Sequence, residues 1–62
     1  MNRPPFRQGT AVYRRDRPMT YKGRVTSIWW SEQAGGWNAV VAFPDGDQRL
    51  GASKLVEVPR NG

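Results

Sequence analysis

Trp37-Asn38-Ala39-Val40-Val41-Ala42-Phe43-Pro44-Asp45-Gly46-Asp47-Gln48-Arg49-Leu50 decides the fold of this chain. From Trp37 to Phe43, extended backbone puts Trp37, Ala39, Val41 and Phe43 on one side and Asn38, Val40 and Ala42 on the other. Both sides are largely apolar, the pattern of an interior strand covered by neighbours. Pro44 presets its φ and Gly46 accepts positive φ, so Pro44-Asp45-Gly46 is a hairpin turn. Residues 47–50 return as the next strand.

Working outward, residues 21–30 form the longest run, rich in β-branched and aromatic side chains, with Gly23 as a bulge or close-packing point. Val25 and Ile28 lie three apart, so both face inward only if a bulge separates them. The polar stretch 31–36 is a turn. Residues 10–14 are a first strand, joined to the second by the Pro-containing loop 15–20. Residues 51–54 fit one 3₁₀ turn before a last strand at 55–58. Residues 1–8 read as a flexible basic tail whose Phe6 pins its end to the domain, and residues 59–62 as a second tail.

No stretch keeps a helical period, so the expected class is all-β. Five short, bent strands in a domain over residues 9–58, with one 3₁₀ turn before the last strand, describe a small barrel, whose closure removes sheet edges. The expected core is Val12, Val25, Ile28, Val41, Phe43, Leu50, Leu55 and Val58, with one tryptophan.

Composition narrows the chemistry. A chain of 62 residues supports one domain, and only nine residues are Val, Ile or Leu, so aromatic rings must supply much of the core. With no Cys and no His, disulfides, thiolate metal sites and histidine general bases are excluded. Asp45 and Asp47 flank Gly46 and could together bind a cation, but turn chemistry explains Asp45 fully, and no metal site is expected. The Gly35-Gly36 pair lacks the Lys-Ser/Thr and the helix of a phosphate loop. No apolar leader opens the chain and no stretch of about 18 apolar residues could span a membrane. We therefore expect a cytoplasmic protein with no membrane partner, of phage or plasmid type. A core this small also leaves homo-oligomerisation open.

Charge is the strongest functional signal. Eight Arg and two Lys against five acids give +5. Residues 1–31 hold seven of those cations against Asp16 alone, a net of +6, and the remainder nets −1. Such a basic half points to nucleic acid or an acidic protein partner.

The run Lys22-Gly23-Arg24-Val25 with Ile28, then Val41-Ala42-Phe43-Pro44-Asp45-Gly46, then Leu55, resembles the SH3-like small barrels of the Tudor and KOW kind, across about residues 9–58. That resemblance implies the fold more than the function. A narrower one is to the plasmid-type (type II) dihydrofolate reductases. Their Trp-Gln-Gly strand is similar to Tyr21-Lys22-Gly23, their aromatic pair to Trp29-Trp30 with a one-residue offset, and their Tyr-Ala-Val-Glu strand to residues 37–41. In that family four subunits line a pore that binds NADPH and dihydrofolate through a Val-Gln-Ile-Tyr run. Here the run is Asp47-Gln48-Arg49-Leu50, which keeps Gln48 alone, and Arg14 stands where the family has lysine. The resemblance implies Gln48 as the one catalytic candidate and NADPH as the cofactor of an alternative, reductase-type reading.

The residues themselves favour a binding module without a cofactor. Arg14, Arg15, Arg17, Lys22 and Arg24 place five cations within eleven positions, and guanidinium forks bind phosphates bidentately. Tyr21, Trp29 and Trp30 add rings. Adjacent Trp29 and Trp30 point to opposite sides of a strand, so one of them stays outside the core, free to stack on a base or anchor a partner protein. A plain protein-interaction module is the third reading.

Overall fold

The computed structural model describes residues 3–60 and is all-β. Its elements are β1 (Ala11–Arg14), β2 (Lys22–Ser31), β3 (Gly36–Phe43), β4 (Gly46–Gly51), the 3₁₀ turn η1 (Ala52–Lys54) and β5 (Leu55–Glu57). They form one antiparallel sheet in the order β4-β3-β2-β1-β5. The five expected strands and the expected 3₁₀ turn are all present, with boundaries shifted by a residue or two. Among the described residues, no helix is long and apolar enough to cross a membrane.

β4 and β5 are the two edges, and no ladder joins them, so the sheet is open. It is nevertheless curled. Arg14 on β1 donates to Gln48 Oε1 on β4 at 3.0 Å, although three strand spacings, about 14 Å in a flat sheet, separate those strands. This curled five-stranded arrangement is consistent with a small barrel.

The core consists of Val12, Val25, Ala39, Val41, Phe43 and Leu55, with Ala52 of η1 also buried. Phe6, Tyr21, Ile28 and Leu50 pack against it from its margins. Val58 is a correction. β5 ends at Glu57, and Val58 is only half-buried and outside the cluster. No tryptophan belongs to the core either, because all three sit at the far end of the β2–β3 ladder, beyond its aliphatic part. Ala39 and Ala52 fill positions too small to stand out in a hydrophobic pattern.

The bulge between Val25 and Ile28 is real. Val25 pairs with Val41 and Ser27 with Val40, leaving Thr26 as the extra residue. Its hydroxyl donates to the Val40 carbonyl at 3.2 Å, which supports the ladder where it is interrupted. The bulge resets the alternation so that Ile28, opposite Ala39, returns to the core side. Gly23 is buried where β2 passes close over β3. A Cβ there would lie 2.4 Å from the Ala42 carbonyl oxygen and 2.8 Å from the Val41 side chain.

Candidate nucleic-acid interface

The five expected cations do not share one face. Arg14 has the parity of Val12 and turns to the core side, where its guanidinium is largely committed. Nε and Nη2 donate to the two Asp16 carboxylate oxygens at 2.9 and 2.7 Å, and Nη1 donates to Gln48. The bidentate bond from Arg14 draws the Asp16 carboxyl below its ordinary value, and the same bond raises Arg14.

Arg15 and Arg17 lie on the loop between β1 and β2, which is built from two turns closed by Arg17 N–H to Arg14 C=O and Tyr21 N–H to Pro18 C=O. Arg15 reaches across to η1. Its backbone N–H bonds the Lys54 carbonyl at 3.0 Å and its Nε the Ser53 carbonyl at 2.8 Å. Arg17 stands over the Tyr21 ring, 5.5 Å from its centroid. Tyr21 in turn stacks on Phe43, centroids 4.9 Å apart and planes 8° from parallel, and its hydroxyl donates to Asp45. That hydrogen bond holds the Tyr21 phenol above its ordinary pKa, with desolvation adding to it.

Lys22 and Arg24 point outward from β2, on either side of buried Gly23. Arg24 Nη1 donates to the Gly9 carbonyl at 2.9 Å, which fixes its direction over the turn before β1.

At the other end of the β2–β3 ladder, Trp30 pairs in register with Trp37 and Trp29 with Asn38. Trp30 is the exposed member of the adjacent pair, at 44%, and meets Trp37 edge-on with centroids 5.6 Å apart. Trp29 is half-buried on the opposite side of the strand, beneath the Arg49 guanidinium at 5.1 Å. Trp37 Nε1 is buried without a hydrogen-bond partner among the described residues.

The run 47–50 does not assemble the polar set of a reductase pore. Gln48 faces the core side opposite Val41, but its carbonyl already accepts from Arg14. Leu50 packs into the core margin and offers no hydrogen bond, while Asp47 and Arg49 face the opposite side of β4. Gln48 and Arg14 alone do not supply the contacts a nicotinamide and a pteridine need, so we derive no step through NADPH. Among the described residues, no three carboxylates gather as a metal site would require.

Arg3, Arg7 and Arg60 belong to the expected tails, residues 1–8 and 59–62. The structure brings them to one groove with Arg24 and Glu57. Only the β1–β5 pairing, which sets the start of the chain beside its end, could have revealed this.

A scan against protein-family models, a search of curated proteins and a search of solved structures each found no match to this chain.

Proposed function

We propose that this chain is a small SH3-like barrel module that binds nucleic acid through uncompensated arginines and an exposed tryptophan. The strand order, the bulged second strand and the 3₁₀ turn before β5 support the architectural part of that reading. One observation carries the functional part. Of ten Lys and Arg, only Arg14 forms an ion pair among the described residues. Cations kept merely for solubility are usually interspersed with acids, whereas here most of the positive charge is left available to an external polyanion.

Phosphate contacts from guanidinium groups would set affinity, and Trp30, half-exposed at the tip of β2–β3, would stack on a base. Such binding depends little on sequence and strongly on salt. The test is a fluorescence titration of the full chain with 12-nucleotide DNA and RNA at low ionic strength. Dissociation constants in the micromolar range, weakening steeply as salt rises, are expected; absence of binding below about 100 μM would sink the reading.

A further inference from the structure

The clearest basic concavity lies away from the β1–β2 loop. Residues 3–10 run back across the start of β1 and meet the end of β5. Two shallow depressions adjoin there, sharing Thr10, Glu57 and Arg60; one adds Arg3 and Arg7, the other Arg24. Four of the eight arginines in the chain therefore line these two adjoining depressions, which together we treat as one groove. Glu57 is its one carboxylate, and it forms no ion pair among the described residues.

The groove wall is held by backbone bonds rather than by these charges. Phe6 packs on the core margin. Thr10 N–H bonds the Arg7 carbonyl at 3.1 Å, the Thr10 hydroxyl accepts from Arg7 N–H at 3.2 Å, and Gly9 N–H bonds the Val25 carbonyl at 2.7 Å. Gly9 takes φ +91°, a conformation that favours glycine, to make this turn. Arg24 is aimed by its bond to the Gly9 carbonyl. Four arginines from three segments (the residues before β1, β2 and the chain after β5) thus line this place, none of them in an ion pair among the described residues.

A row of guanidinium groups in a polar, shallow trough matches a string of phosphates better than one small anion, which a closed pocket would surround. We infer that the Arg3–Arg7–Arg24–Arg60 groove is the principal track for a nucleic-acid phosphodiester backbone. The inference rests on the nucleic-acid reading above and assigns that reading its main contact surface. The β1–β2 loop is secondary, since its Asp16 carboxylate neutralises Arg14, whose remaining Nη1 is bound to Gln48.

The test compares two double variants of equal net charge in the full chain. Arg7→Gln with Arg60→Gln empties the middle of the groove, and Arg49→Gln with Lys54→Gln removes the same charge elsewhere. Binding of fluorescein-labelled single-stranded 12-mers is measured across a salt series, with folding checked by circular dichroism. The groove pair should lose about tenfold or more in affinity and flatten the log K against log salt slope by about 1.5, because two phosphate contacts go. The control pair should lose less than about threefold. Equal losses in both pairs would overturn the groove while leaving nucleic-acid binding intact. A parent chain that binds no oligonucleotide removes both readings. Competition by poly-glutamate as effective as that by the unlabelled 12-mer would overturn the inference in favour of an acidic protein partner. Competition by a mononucleotide as effective as that by the 12-mer would also overturn it, since a free phosphate would then suffice.

Discussion

The two ends of the β2–β3 ladder use the same ingredients, aromatic rings and cations, to opposite effect. At the β3–β4 end, Tyr21 stacks on Phe43, bonds Asp45 and carries Arg17, while Arg14 binds Asp16 and Gln48. The polar ends of Arg14, Asp16, Gln48, Tyr21 and Asp45 all have internal partners there. At the hairpin tip, about 20 Å along the strands, Trp30 stands half-exposed and the Trp37 indole N–H has no partner among the described residues. Saturated groups stabilise the fold, whereas the exposed Trp30 ring remains open to a ligand. The first end therefore reads as a structural clasp, and the second as a contact surface.

The largest test strikes the ladder joining the two ends. Gly23→Ala forces a methyl against the Ala42 carbonyl, a backbone atom that cannot swing away. A loss of about 3 kcal/mol in urea unfolding is expected, with both ends weakened together. An unchanged midpoint would show that β2 and β3 separate easily there. Next, Trp30→Ala should cost about tenfold in affinity for single-stranded oligonucleotides, the worth of one stacked base, and lower the unfolding midpoint only by the worth of its edge contact with Trp37. A large stability loss would make Trp30 part of the clasp instead.

Tyr21→Phe is the mirror image. It keeps the stack on Phe43 but drops the bond to Asp45, and should lower the unfolding midpoint slightly with no change in binding. The smallest effect is pH-dependent. Asp16 is lowered in the folded state, so its contribution is complete above the ordinary aspartate range and fades as pH falls below about 4. Tyr21 is raised, so its contribution is complete below about pH 10 and fades as pH climbs further. Asp16→Asn should remove the acid-side part, and Tyr21→Phe the alkaline part, of a thermal-stability profile. Because the Arg14–Asp16 pair is near the surface, where solvent and salt screen it, the acid-side change is the smallest of these effects.

Local signals carried most of the fold. Alternation across Trp37–Phe43 and the Pro44-Asp45-Gly46 turn specified the β3–β4 hairpin, and the three-residue spacing of Val25 and Ile28 specified the bulge. The site was less legible, for two reasons. Side-chain direction separates neighbours, so Arg14 turns to the core side while Lys22 and Arg24 face out, and a tally of charge along the chain cannot see this. Arg3, Arg7, Arg24 and Arg60 meet only through pairing between the first and last strands, a contact no short window contains. Which of Trp29 and Trp30 is exposed depended on the parity set at Thr26, since the bulge puts Trp30 in line with Ile28 and carries it past the end of the core.

The pairing of β1 with β5 also has a kinetic side. The β2–β3 and β3–β4 hairpins join segments adjacent in sequence, but Val12 finds Glu57 only across most of the chain. Closing so long a loop comes with a larger entropic barrier than forming a hairpin, so β5 should dock after the hairpins and be the first strand to peel away. The arginine groove exists only while β5 is docked. A polyanion spanning Arg7 and Arg60 would then act as a brake on that peeling, slowing unfolding rather than speeding folding.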